Sequence, residues 1–264
     1  MDTIDIGLSS LFFVFLLIFI PFCLDYVYKF GLFKNIANSV VRMTIQLFLI
    51  GIFLKYLFLW NNVFINIVWF CVMIVTAVFS VVKNTPLKVS KVFFPLLIAF
   101  SIPTFLLVLY LNHFVLRLPN IFEARYFIIL GGMLLGNCLR GNIIGLSYLY
   151  GQIKENQKSY FYLLGLGAST YEAILPYLRE GVKIALKPFI ATIATMGIVA
   201  LPGMMTGVIL GGASPEIAIK YQIMIMLAIL STGFLGVVLG ILFTVKVCFD
   251  SFGCLKLEVF KERK

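Results

Sequence analysis

Charge and histidine are what this chain has least of. Asp, Glu, Lys and Arg make up 12% of its 264 residues, and it holds a single histidine. A soluble domain carries about 25% charged and about 45–50% apolar residues. Here 62% of residues are hydrophobic and 16% aromatic. Twenty-seven Phe side chains cannot all be hidden in the core of so short a chain, so apolar surface must face lipid. A soluble enzyme, a disordered chain and a nucleic-acid binder are excluded. The net charge of +10 then concerns membrane orientation rather than a DNA-binding face.

Other absences narrow the chemistry. Cys23, Cys71, Cys138, Cys248 and Cys254 are odd in number and contain no C-x-x-C pair, so neither a disulfide framework nor a zinc site is indicated. No G-x-x-x-x-G-K-[ST] string occurs, so the chain does not cradle nucleotide phosphates by the P-loop route. There is no H-E-x-x-H and no pair of Asp residues inside an apolar run, which disfavours a membrane-embedded enzyme. The Met1-Asp2-Thr3-Ile4-Asp5 start lacks a basic region, so residues from Leu8 onward read as a first span rather than a cleaved signal.

What is present is apolar sequence in long runs. A helix needs about 20 such residues to cross the hydrocarbon layer. Seven segments meet that: 7–28, 38–59, 63–82, 92–112, 126–149, 188–210 and 221–245. The expected fold is all-α, a single multi-pass domain over residues 1–264. Thr85-Pro86 and Ser214-Pro215 each read as a helix N-cap followed by proline at the first helical position.

The loops alternate in basicity. Fifteen Lys and Arg, from Lys29 and Lys34 through Lys83, Lys154 and Lys246 to Arg263 and Lys264, fall on one side. Only Lys55, Arg117, Arg125 and Lys220 fall on the other. The positive-inside rule makes the first side cytoplasmic, with the N-terminus outside and the C-terminus inside, in the plasma (inner) membrane of the cell. Five runs spaced G-x-x-x-G, at Gly132/Gly136, Gly141/Gly145, Gly203/Gly207, Gly207/Gly211 and Gly236/Gly240, let helices approach closely, either within one bundle or across a dimer seam.

The long non-membrane stretch 151–187 carries the most local information. Ser169-Thr170-Tyr171-Glu172 fits a capping box. Tyr171, Ile174, Leu175, Leu178, Val182, Ala185 and Leu186 then form one apolar stripe at helical spacing. Pro176 is expected to break or kink that helix. An amphipathic helix on the inner leaflet and a helix that docks into another protein both fit the pattern.

Leu166-Gly167-Ala168-Ser169, followed by Ala173, Leu178-Arg179, Ala185 and Pro188, resembles the coupling loop of ABC-transporter permeases. Leu201-Pro202-Gly203-Met204-Met205-Thr206-Gly207 and Ala218-Ile219-Lys220-Tyr221-Gln222-Ile223-Met224 resemble the signature strings of the FetB family of iron-export permeases. Arg42 with Gln46-Leu47, and Gly132-Met133 with Gly136-Asn137, are similar to that family's pattern too. Arg140 and Pro176 lie outside the strings that carry the resemblance.

The resemblance implies the permease subunit of an ABC exporter, with ATP bound and hydrolysed by a separate ATPase subunit and no cofactor held by this chain. It implies a homodimer, iron or a metal-linked solute as cargo, and a coupling helix between the fifth and sixth spans. ATPase coupling would involve Leu166, Gly167, Ala168, Ser169, Glu172, Ala173 and Arg179. The transport path or its gates would involve Arg42, Gln46, Asn137, Arg140, Pro202, Gly203, Met204, Met205, Gly207 and Gln222.

The residues themselves leave several roles open. Pro202 reads as a kink in the sixth span or as an unwound segment. Met204 and Met205 read as packing residues or soft metal ligands. Arg42 either snorkels to the interface or pairs across the bundle. Arg140 is an intramembrane charge and therefore a functional candidate, expected to face the bundle interior. The spans hold no Asp or Glu in their apolar centres, and His113 sits with Glu123 in an outer loop, so no charged metal ligand is offered midway along the spans. A channel or secondary transporter acting alone is the other reading, although proton coupling uses Asp, Glu or His chains that the spans lack.

Overall fold

The computed structural model describes residues 7–199, 201–250 and 252–261. The Met1–Asp5 start and the basic pair Arg263 and Lys264 lie outside the described residues. The elements are α1 (Leu8–Phe15), α2 (Phe19–Tyr28), α3 (Phe33–Trp60), α4 (Val63–Lys83), α5 (Val89–Tyr110), α6 (Ala124–Glu155), α7 (Gln157–Gly165), α8 (Thr170–Thr195), α9 (Gly203–Leu210) and α10 (Pro215–Cys248). A 3₁₀ turn joins α1 to α2, making one span of Ser9–Tyr28.

Six helical stretches are long and apolar enough to cross a bilayer: Ser9–Tyr28, Phe33–Trp60, Val63–Lys83, Val89–Val115, Ala124–Glu155 and Pro215–Cys248. They correspond to six of the seven expected segments. The seventh, 188–210, is not one helix. Its first part is the end of α8, its last part is α9, and the described residues between them, 196–199 and 201–202, are non-helical.

Helix ends follow local chemistry. Asp25, buried at the end of α2, accepts hydrogen bonds from the backbone N–H groups of Leu32 and Phe33, both at 2.9 Å. A carboxylate there satisfies donors that the first turn of α3 would leave open. Ser214 caps α10 with Pro215 as its first residue, as expected. Thr85-Pro86 does not start a helix. α5 begins at Val89, and the Pro86 carbonyl instead accepts from Lys261 N–H at 2.8 Å. Pro176 does not break α8, which runs through both Pro176 and Pro188. Both rings are exposed, and the neighbouring Ala173, Ile174, Val182 and Ala185 are buried and hold the axis on either side.

The core is built by α4, α5, α6, α8 and α10. A Cβ added at Gly236 would lie 2.2 Å from Cys138 Sγ, and one at Gly240 would lie 2.0 Å from Asn142 Oδ1. Gly141 and Gly145 likewise face Val237 at 2.9 and 3.0 Å. Two of the five glycine pairs therefore serve close packing inside the chain. Residue numbers rise together along this seam, so α6 and α10 are parallel. Along α8 the order reverses, since Gly181 and Ala185 meet Gly145 while Phe189 meets Gly141. α8 thus returns the chain along α6 toward the end where α10 begins. Its apolar stripe is spent on that packing, so it does not lie flat as a free amphipathic helix.

The N-terminal helices are different. In the most apolar windows of Ser9–Tyr28 and Phe33–Trp60 only 6% of residues are buried, against 39–50% in the other four spans. They flank the core and leave most of their surface open.

Candidate functional site

Three regions hold the expected site residues, and the fold keeps them apart.

The first is an elbow at the end of the bundle where α6 and α10 finish. Gly167 N–H donates to Leu164 O at 3.0 Å, and Ala168 N–H donates to Leu163 O at 3.1 Å. With Gly167 at φ +89°, this is a Schellman termination of α7, in which glycine takes the left-handed position at least cost. The next helix starts at once. Ser169 Oγ accepts from Glu172 N–H at 3.3 Å, and Glu172 Oε2 accepts from Ser169 N–H at 2.8 Å and from its hydroxyl at 2.7 Å. The capping box is complete. Those bonds hold the exposed Glu172 carboxyl below its ordinary pKa, the side-chain bond with Ser169 contributing most. The Leu-Gly-Ala-Ser string is therefore a stop signal followed directly by a start signal.

The elbow has a buried root and an apolar tip. Ala173 and Tyr160 are buried, whereas Tyr162, Leu166 and Tyr171 are exposed. Arg179, on the second turn of α8 beyond Ala173, is exposed as well.

The C-terminal tail straps this elbow to the α4–α5 turn. Tyr160 Oη donates to Gly253 O at 2.6 Å. Burial, then the nearby Cys254 and Asp250, pushes the Tyr160 hydroxyl up to about 12, so it stays a donor at neutral pH. Lys261 Nζ donates to the carbonyls of Val82, Lys83 and Thr85 at 2.5, 2.9 and 2.7 Å, closing the open C-terminal carbonyls of α4. Leu87 pairs with Phe260 in a short antiparallel bridge. The sequence reading missed this strap, for which the only local sign was the Asp250-Ser251-Phe252-Gly253 turn composition.

The second region is the break between α8 and α9. Met196 leaves the helix in an extended conformation, and Gly197 has φ +84°. Pro202 is the N-cap of α9 rather than an interior kink, and its carbonyl accepts from Thr206 Oγ1 at 3.1 Å. The unwound alternative is the one that holds. Met204 and Met205 are half-buried, and Gly203 and Gly207 face open space. From α10, the buried Gln222 donates Nε2 to Met196 Sδ at 3.6 Å. Its Oε1 is buried and has no partner among the described residues.

The third region is a groove of about 630 Å³ between α3, α4 and α6, lined by Gln46, Ile50, Phe53, Trp69, Met73, Thr76, Gly132 and Gly136 among others. Arg42 and Arg140 are both exposed, and neither makes an ion pair or hydrogen bond among the described residues. Arg140 thus does not face the interior of its own bundle. The buried side of α6 is taken by Leu134, Leu135, Cys138, Gly141, Asn142 and Gly145, and Arg140 lies off that stripe. Asn137 is half-buried and donates to Met133 O at 2.8 Å.

No group of three or more His, Cys, Asp or Glu among the described residues is placed to hold a metal ion. Asn142, a neutral group on α6, packs against Gly240 of α10; its Nδ2 donates to Cys138 O at 3.0 Å, and its Oδ1 is buried with no partner among the described residues.

The chain is 29% identical over 255 residues to "Probable iron export permease protein FetB" of Escherichia coli K12, covering 95% of each chain. It is 34% identical over 206 residues to "Protein ALUMINUM SENSITIVE 3" of Arabidopsis thaliana, covering 77% of this chain and 73% of that one. It is 28% identical over 242 residues to UPF0014 membrane protein YjkA of Bacillus subtilis, covering 90% and 92%. No solved structure matches it. The family described as UPF0014, an uncharacterised protein family, matches residues 8–249. With its apolar spans, that match makes the chain a multi-pass membrane protein of the UPF0014 family.

Proposed function

We propose that the chain is the membrane subunit of an ABC-type exporter that moves iron or a related metal outward. A separate ATPase supplies the energy, and two copies of the chain form the path. The relative named a probable iron export permease covers nearly the whole chain, and the missing P-loop requires the nucleotide to be handled elsewhere.

The observation that carries this reading is the elbow. Its capping pattern fixes the backbone, its root is buried, and its tip leaves Tyr162, Leu166 and Tyr171 exposed. An apolar tip on a rigid base suits insertion into a cleft of a partner protein. The parallel arrangement of α6 and α10 supports a seventh crossing made by α8 and the broken segment after it. With seven crossings, the positive-inside rule supports an N-terminus outside and the basic end, with Lys83, Lys88, Lys154 and Lys256, in the cytoplasm. ATPase closure would push the elbow, and α8 would carry the displacement to the break that begins at Met196. Such an unwound segment suits a switch between two arrangements.

The test is co-purification with the candidate ATPase and metal-resolved efflux from cells with and without the gene. The expected result is ATP-dependent efflux and ATPase binding that Leu166→Glu abolishes. Transport in vesicles without any nucleotide would instead favour a transporter acting alone.

A further inference from the structure

The groove between α3 and α6 has a register. One lining set joins Leu54 and Ile50 to Ile128 and Gly132; the other joins Ile50 and Gln46 to Gly132 and Gly136. The helices are therefore antiparallel, and residues 54, 50 and 46 lie level with 128, 132 and 136. One more turn along each helix brings Arg42 level with Arg140. Arg140 is about 24 Å along α6 from Ala124, and Arg42 about 14 Å along α3 from Phe33, at a rise of about 1.5 Å per residue. Both arginines are exposed, each one turn beyond a residue that lines the groove, Gln46 on α3 and Gly136 on α6.

Among the described residues nothing neutralises them. The carboxylates among the described residues lie at helix ends, in loops or on α8. Asp25 caps α3, and Glu180 on α8 pairs with Lys183 at 3.4 Å. A second copy packed on this face would bring the same two arginines and no carboxylate at their level. An arginine left in hydrocarbon is costly, and a bare metal cation beside two guanidiniums is repelled. The remaining counter-charge is a solute.

We propose that Arg42 and Arg140, with Gln46, form an anion site on the transport path, so that the cargo passes as an anion: a metal wrapped in a polycarboxylate rather than a bare ion. Two guanidinium forks suit carboxylate oxygens, which they bind in bidentate fashion. This rests on the exporter reading above and names its substrate class.

The test uses the full chain with its ATPase in phosphatidylcholine vesicles, comparing radio-iron as the citrate complex with ferrous ion, and citrate alone with label on carbon. Binding of labelled citrate to the chain alone in nanodiscs is measured in parallel. The expected result is ATP-dependent movement of the citrate complex at least tenfold faster than of ferrous ion, and saturable citrate binding. Arg42→Gln or Arg140→Gln should weaken that binding at least tenfold, and the Lys variants less. The double variant Arg42→Glu/Arg140→Glu should reverse the preference toward ferrous ion.

Movement of ferrous ion alone, indifferent to both arginines, overturns the anion site and leaves the exporter reading intact. Movement of citrate without iron keeps the anion site and overturns the metal cargo. If citrate neither binds nor moves, and only added phosphatidylglycerol responds to the arginine variants, the groove holds lipid phosphate and the proposal fails.

Discussion

Asn142 and Gly240 meet at the centre of the bundle so closely that a methyl group on residue 240 would lie 2.0 Å from Asn142 Oδ1. Gly236 stands in the same relation to Cys138 one turn earlier. In lipid, helix association depends on such close approach rather than on a hydrophobic drive. Gly240→Ala is therefore expected to destabilise the α6–α10 seam by about 1–3 kcal/mol, the usual cost of overpacking. The melting temperature in detergent should fall. Gly136→Ala, where nothing lies within 4 Å, should leave it unchanged.

The elbow's backbone depends on two residues of opposite kind. Gly167 occupies φ +89°, and its replacement by Ala should cost about 1 kcal/mol locally. Ser169→Ala removes the capping bonds and should cost about 0.5–2 kcal/mol. Hydrogen exchange over 157–175 is the measurement. Both changes should speed exchange there and leave α4 and α5 as they were.

Glu172 makes the elbow pH-sensitive in one direction. Its folded pKa lies below the ordinary 4.5 because Ser169 bonds the ionised carboxylate. The stabilisation is therefore fully present above about 4.5 and is lost as pH falls through the depressed folded value. Exchange protection at Ser169 should decline in that window, and Glu172→Gln should remove the dependence.

Lys261 ties the tail to the end of α4 through three carbonyls. Because the residue is exposed, its removal should cost only about 1 kcal/mol. The more telling effect is on the strap. Lys261→Ala, or truncation after Val259, should increase trypsin cleavage at Lys88 and Lys91. Lys261→Arg should restore much of the protection.

Much of the elbow was legible in the sequence, because capping is a short-range code. Ser169 and Glu172 stand three apart, Gly167 precedes them, and the structure forms the expected box. Ser214-Pro215 was legible on the same grounds. Thr85-Pro86 carried the same local signal and failed, because a distant segment, Leu87 with Phe260, claimed that backbone. Pro176 did not break the helix, since α8 continues through it with buried neighbours on both sides. Local rules are reliable only where no long-range contact competes.

Composition and the length of its apolar runs alone determined that this chain lives in a bilayer and is helical, since the transfer energy of a run depends on its residue types and the backbone polar groups of a lipid-spanning run must be satisfied within it. Tertiary structure decided which glycines are buried in a seam and which lie open, that Arg140 turns away from its own bundle and level with Arg42, and that the C-terminal tail clasps two distant turns. Those outcomes depend on which helices pack side by side and in which register, a relation between residues far apart in the chain that no local pattern encodes.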